Sequence, residues 1–113
     1  MKTEFEKNMM IASELLSYCH LMGAEEFHLD VKTSAKSAEF TIKASPAVIS
    51  DEELANMQKK LNAPRQREME QDFWHLSGDS ESKSELILLG MMSDKVAVEY
   101  EDKSLTIKIF REL

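Results

Sequence analysis

The side chains of this chain that are best suited to chemistry are three histidines and one cysteine, and they are widely spaced. A metal site, or a nucleophile with its base, needs such groups at short intervals or beside a recognisable turn. The four residues are Cys19, His20, His28 and His75. Cys19 falls on the apolar side of a predicted helix, and the histidines belong to three different elements. We therefore expect structural or surface roles for all four, and no metal site.

Two other groups of residues offer binding chemistry. A basic cluster is formed by Lys59, Lys60, Arg65 and Arg67. It is suited to a phosphate or an acidic partner, although a solvated face is the more ordinary interpretation of such a cluster. The aromatic pair Phe73 and Trp74, with Met69 nearby, packs either on the core or on a neighbour. We predict a partner contact or self-association at this pair, which sedimentation of a Trp74→Ala variant would test.

Composition narrows the class of protein. The chain has 113 residues, with 14 Lys and Arg against 21 Asp and Glu, a net charge of −7. This length predicts a single domain over residues 1–113 with its own core. The negative charge opposes binding to nucleic acid or to an anionic membrane. One cysteine cannot form an internal disulfide, and the first residues lack an apolar run, so we expect a cytoplasmic protein.

Helical periodicity predicts two well-defined helices in the first half of the chain. The first covers about residues 3–22 and ends at Gly23, which suits a left-handed C-terminal cap. Ser50 begins the second as its N-cap, with Glu53 three residues later completing a capping box, and residues 62–64 end it. The apolar stripe of the first helix consists of Phe5, Met9, Ala12, Leu16 and Cys19, with Leu15 and Met22 beside it.

The second half contains less regular segments. The weak apolar periodicity of residues 65–76 predicts a loosely packed helical segment, which we call the excursion. Residues 77–84 have the composition of a loop. Residues 86–92 are apolar on nearly every side, which indicates a helix buried under the core. Glycine is too scarce, with three residues in all, to form a phosphate-cradling loop.

Strict alternation predicts two β-hairpins, over about residues 27–44 and 95–110. One face of their strands is polar and should meet water or a partner: His28, Asp30, Glu39, Thr41, Lys43, Glu99, Thr106 and Lys108. The other is apolar and should meet the helices: Phe27, Leu29, Val31, Phe40, Ile42, Val96, Val98, Leu105, Ile107 and Ile109. The predicted fold class is α+β, a two-layer α/β sandwich in which one four-stranded sheet is covered on one face by about three helices.

The element order and three local strings resemble the GHKL ATPase superfamily, in particular the small ATP-binding domains of histidine kinases and anti-sigma-factor kinases. Residues 11–19 are similar to the helix that carries the family's Glu-x-x-x-Asn signature. Residues 40–54 are similar to the strand, Asp-x-Gly-x-Gly loop and following helix. Residues 84–96 are similar to the last helix entering the closing hairpin. The resemblance implies a GHKL-like fold over nearly the whole chain.

The motifs that bind nucleotide in that family are altered here. By the resemblance, Glu14 stands at the catalytic carboxylate, but Tyr18 occupies the position of the Asn that ligates magnesium, and a phenol is a poor substitute for a compact amide oxygen. Ala44 replaces the Asp that accepts the adenine amino group. Pro46 and Val48 replace two loop glycines, and residues 77–84, with only Gly78, replace the glycine-rich lid.

These replacements lead to our main expectation and its rivals. The resemblance implies a degenerate, non-catalytic domain that binds no cofactor and acts as a regulatory protein-interaction module, through a protein partner or as a homo-oligomer. The alternative is an Mg-ATP-dependent kinase of the anti-sigma-factor or histidine-kinase type, with Glu14 as its base. A third interpretation sets the resemblance aside and leaves an α+β binding module whose contact surface includes Trp74.

Overall fold

The computed structural model describes residues 3–62, Arg65 and residues 86–112. Within them the chain forms three helices and four strands. In chain order these are α1 (Glu4–Leu21), β1 (Glu26–Thr33), β2 (Ser37–Ser45), α2 (Asp51–Leu61), α3 (Leu86–Met91), β3 (Lys95–Glu101) and β4 (Ser104–Glu112).

The four strands form one antiparallel sheet in the order β1-β2-β4-β3. Each predicted hairpin is present, and β2 and β4 join the two hairpins at the centre, where Ile42 lies opposite Ile107. The helices cover one face, and the expected α+β sandwich is therefore confirmed. β1 and β3 are the two edges of the sheet.

The predicted division between the faces of the sheet is also confirmed. Phe40, Ile42, Leu105 and Ile107 are completely buried under the helices. Asp30, Lys43 and Lys108 are exposed on the other side, which we call the open face. Two residues are exceptions. Phe27 lies on the helix-covered face but is 36% exposed. Thr106 lies on the open face but is only 8% exposed, because it sits on a central strand between the longer side chains of Lys43 and Glu99.

α1 has the expected ends, but a different face is buried. Thr3 and Glu6 form a reciprocal capping box at its start, and Gly23 follows its end with φ +91°. The buried residues are Lys7, Asn8, Ile11, Ala12, Leu15 and Cys19. The predicted stripe was therefore right at Ala12 and Cys19 but wrong at Phe5, Met9 and Leu16, which are exposed, so the buried side is rotated by about one residue. The rotation brings Asn8 and Lys7 inward, and an apolar pattern cannot predict burial of polar residues.

α2 begins at the predicted N-cap Ser50, but the predicted capping box is incomplete, because the Glu53 carboxylate bonds the Ser50 hydroxyl and not its backbone N–H. The Ser50 hydroxyl accepts a hydrogen bond of 3.1 Å from the Glu53 N–H and donates one of 3.1 Å to the Glu53 carboxylate. The C-terminal end of α2 lies against Gly90 of α3, and Gly90 is buried. A Cβ atom at Gly90 would be 2.6 Å from the Lys60 carbonyl oxygen and 2.7 Å from that of Leu61. Gly90 therefore permits the close approach of the two helices.

A fully buried arginine joins the sheet to the helices. Arg111 follows Leu105, Ile107 and Ile109 on the inner side of β4 and is 0% exposed. Its Nε donates a 2.8 Å hydrogen bond to the Met92 carbonyl oxygen beyond the end of α3. Its terminal nitrogens reach α1, where one donates to Asn8 Oδ1 at 2.8 Å and the other lies 3.6 Å from the Glu4 carboxylate. Position 111 continues the alternation of the three buried residues before it, and this alternation is the signal in the sequence for the burial of Arg111.

Candidate interaction surface

The two helix positions identified by the resemblance lie one turn apart on α1. Glu14 and Tyr18 are both partly buried. Burial raises the pKa of the Tyr18 hydroxyl to about 12, with further contributions from Cys19, once its thiol ionises at high pH, and from the Glu53 carboxylate. Tyr18 is therefore a protonated phenol at neutral pH, which is a poor ligand for a hard cation. Ala44 lies on the inner side of β2, is 2% exposed and carries no acceptor side chain.

The loop between β2 and α2 is attached to the second hairpin through Tyr100. The Tyr100 hydroxyl donates a 2.6 Å hydrogen bond to the Ala47 carbonyl oxygen and accepts one of 3.2 Å from the Ile49 N–H. Ala47 and Ile49 are buried, whereas Val48 between them is 74% exposed. Pro46 follows a cis peptide bond. This loop, which the resemblance aligns with the glycine-rich adenine loop, is thus fixed by backbone hydrogen bonds to a tyrosine.

Among the described residues, Cys19, His20 and His28 do not belong to any group that could hold a metal ion. Cys19 is 1% exposed, and burial raises the pKa of its thiol to about 11, so it is not a nucleophile at neutral pH. His20 is exposed near the end of α1, and His28 is exposed on the open face. His75 lies outside the described residues. In the described part of the chain, no three His, Cys, Asp or Glu residues are grouped so that they could hold a metal ion.

The predicted basic cluster is divided. Lys59 and Lys60 are exposed in the last turn of α2. Arg65 instead donates to the Asp94 carboxylate at 2.6 Å and to the Glu112 carbonyl oxygen at 2.8 Å, so its charge is directed into the protein. Arg67 and the predicted contact residues Met69, Phe73 and Trp74 lie outside the described residues.

The open face carries charges of both signs. Its side chains form rows across the sheet, one of which is His28, Lys43, Thr106 and Glu99. Three depressions on this face have volumes of about 410, 380 and 560 Å³. Small-molecule pockets are mostly apolar and enclose their ligand. Here Lys43, Glu99 and Lys108 line the depressions and are themselves exposed, so this face is better suited to a broad polar contact.

One side of α1 is apolar and exposed, and we call it the α1 flank. It consists of Phe5, Met9 and Leu16, which are 67%, 38% and 36% exposed. Tyr18 is on the opposite side of the helix and is close enough to Glu53 of α2 to experience its charge. Because α1 packs over β1 and β2, the α1 flank faces away from α2, toward the β1 side of the sheet.

The β1 edge, residues 26–33, has backbone groups that no described strand pairs. The Ser34 N–H donates to the Ser37 carbonyl oxygen at 2.9 Å, which closes the first hairpin. In an antiparallel ladder, hydrogen-bonded positions alternate. The even-numbered residues of β1 therefore direct their backbone groups to β2, whereas Phe27, Leu29 and Val31 direct theirs outward. Phe27 is also 36% exposed beneath the helix layer.

No known family model matches the sequence, and no curated protein matches it either. The α1 flank and the β1 edge are therefore interpreted from their own chemistry. Sequence reasoning missed the flank because it assigned these residues to the core, and it missed the edge because local patterns do not determine the strand order. None of the helices within the described residues combines the length and the apolar character needed to cross a bilayer.

Proposed function

We propose that this chain is a non-catalytic protein-interaction module with a regulatory role, and that its binding surface consists of the α1 flank and the β1 edge. The observation that carries the proposal is the exposure of Phe5, Met9 and Leu16 on one side of a helix. Exposed apolar side chains are common singly, but a group of them on one surface is typical of a protein contact.

The GHKL ATPase-like character of the domain is part of the same proposal. The order of the similar strings supports it. The antiparallel pairing throughout this sheet differs from the mixed sheet of that superfamily. The α1 flank is therefore a stronger argument for an interaction module than the resemblance is. Tyr18 and Ala44, which replace a metal ligand and an adenine acceptor, favour a domain without Mg-ATP. The buried free thiol suits a reducing compartment such as the cytoplasm.

Site-specific photo-crosslinking tests the proposal directly. A photoreactive amino acid is placed at Met9 on the α1 flank, and in a matched variant at Gln58, which is exposed on α2. We expect discrete crosslinked species, separated by mass, from position 9 in the cells that make the protein, and few from position 58. Equal crosslinking at both positions would overturn the proposal.

A further inference from the structure

We propose that the β1 edge binds a second copy of this chain, as an antiparallel strand pair centred on Leu29. The proposal rests on the proposed function and names the partner that the surface fits. A two-fold symmetric contact uses the same patch on both subunits, so the patch must be complementary to itself. Three properties of this surface meet that condition.

The first property is the direction of the backbone groups. Phe27, Leu29 and Val31 direct their N–H and C=O groups away from β2, as the alternation from Ser34 requires. In a pairing centred on Leu29, this residue meets its own copy, and Phe27 meets Val31 of the second copy. Every outward-directed residue then faces another, and the ladder continues across the edge.

The second property is the charge pattern. On the open face this register sets Glu26 opposite Lys32 of the second copy, and His28 opposite Asp30. Both pairs occur twice because of the symmetry. A pairing centred on Asp30 would place that carboxylate against itself, and one centred on His28 would place Glu26 against Asp30. Among these neighbouring registers that keep the two faces aligned, the one centred on Leu29 avoids like charges.

The third property is the position of the α1 flank. A two-fold axis perpendicular to the sheet keeps both α1 helices on the same side of an eight-stranded sheet. The flanks, formed by Phe5, Met9 and Leu16, then approach each other across the axis. They cover the partly exposed inner side chains of β1, among them Phe27. One strand pair alone buries little, whereas stable interfaces bury about 800 Å² per partner, so the flanks supply the additional area.

A cysteine at Leu29 tests the register. Residues opposite each other in a hydrogen-bonded antiparallel pair have Cα atoms about 5.5 Å apart, within the range of disulfides. We expect Leu29→Cys to form a disulfide-linked dimer under mild oxidation. Val31→Cys is the matched control on the same face, because it lies opposite Phe27 and far from its own copy. The wild type, with only the buried Cys19, controls for the native thiol.

A charge exchange tests the same contact without a covalent bond. Glu26→Lys places two like-charged pairs at the interface, and Glu26→Lys combined with Lys32→Glu restores opposite charges. By sedimentation velocity we expect a concentration-dependent dimer for the wild type, a dissociation constant about ten- to thirty-fold weaker for the single variant, and recovery for the double variant. Glu99→Lys, the same change on the β3 edge, should leave the dissociation constant unchanged.

The outcomes separate this inference from the proposed function. A wild-type monomer at every concentration, or equal crosslinking of Leu29→Cys and Val31→Cys, would overturn pairing with a second copy. If position 9 then crosslinked to a different protein in cells, the interaction module would stand with another partner. A dimer weakened by Glu99→Lys but not by Glu26→Lys would place the contact on β3 and would also overturn the inference.

Discussion

The side chain of Arg111 donates a 2.8 Å hydrogen bond to Asn8 Oδ1, and the two residues are separated by 103 positions in the sequence. Asn8 is 2% exposed and Arg111 is 0% exposed. The bond connects α1 with β4, and the same guanidinium holds the Met92 carbonyl oxygen. The position of α1 on the sheet is thus determined partly by a polar contact inside the core.

Replacing Arg111 by Met should lower the free energy of unfolding by about 2 to 4 kcal/mol, because two buried acceptors lose their donor. The ion pair with Glu4 adds little, since that carboxylate is about half exposed. Denaturant unfolding measures the change. Lys108→Met, an exposed position on the same strand, is the control and should change stability by less than about 0.5 kcal/mol. Equal effects of the two substitutions would contradict this role of Arg111.

Gly90→Ala should be destabilising, although alanine normally stabilises a helix relative to glycine by about 0.5 to 1 kcal/mol. The new methyl group would meet the Lys60 and Leu61 carbonyl oxygens at distances shorter than van der Waals contact. Separating α2 from α3 should cost about 1 to 3 kcal/mol. Thermal unfolding would show it, with the exposed Ala55→Gly on α2 as a reference for helix propensity alone. A Gly90→Ala protein as stable as wild type would show that the helices separate without cost.

The Cys19 thiol should react slowly with alkylating reagents in the folded protein. Its pKa is raised from 9.0 to about 11 by burial, so at pH 8 the thiolate fraction is about a hundredfold smaller than for an unshifted thiol. Mass spectrometry of iodoacetamide-treated protein, native and in denaturant, measures the difference. Equal rates in both states would mean that α1 leaves the sheet readily.

Stability should fall at alkaline pH in a way that Tyr18 partly controls. The pKa of its hydroxyl is 10.0 when unfolded and about 12 when folded, so the unfolded state loses its proton first. The contribution of Tyr18 is therefore complete below pH 10 and is lost as the pH rises toward 12. Across that range the unfolding free energy of the wild type should fall relative to that of Tyr18→Phe, which has no ionisable group at this position. A constant difference between them would contradict the shift.

Millimolar Mg-ATP should leave the melting temperature unchanged. A ligand at a hundred times its dissociation constant adds about 2.7 kcal/mol, which for a domain of this size raises the melting temperature by roughly ten degrees. We expect no such shift, because in the proposed GHKL-like alignment Tyr18 and Ala44 stand where that family has its magnesium ligand and adenine acceptor. ADP serves as the metal-independent comparison. A saturable shift would favour the kinase alternative, and Glu14 would then be the first residue to mutate.

Local patterns in the sequence predicted the strands well and the helix face poorly. Alternation in β1 to β4 reports directly which side chains are buried, so residues such as Ile42 and Lys43 were assigned correctly. The buried side of α1 includes Asn8, which is inside because Arg111 pairs with it. That partner lies on another element, and no local pattern contains it. The order of the strands was equally unpredictable, because the β2–β4 pairing joins distant parts of the chain.

The surface was harder to predict than the fold. Phe5, Met9 and Leu16 have the spacing of a core stripe, and only the packed structure reveals that Ile11 and Leu15 occupy the core instead. The sequence does contain the self-complementary charges of β1. These charges indicate pairing with a second copy only when β1 is known to be an edge strand.

The central position of β4 has a consequence for how the protein is made. β4 fills the gap between β2 and β3, yet it is the last of the four strands to leave the ribosome. Until β4 emerges, β2 can pair only with β1. The hydrophobic residues Phe40 and Ile42 of β2 then lie next to an unpaired strand edge. Contacts between distant parts of a chain form slowly. A nascent chain that stalls before residue 104 therefore exposes these residues, and we expect it to depend on a chaperone.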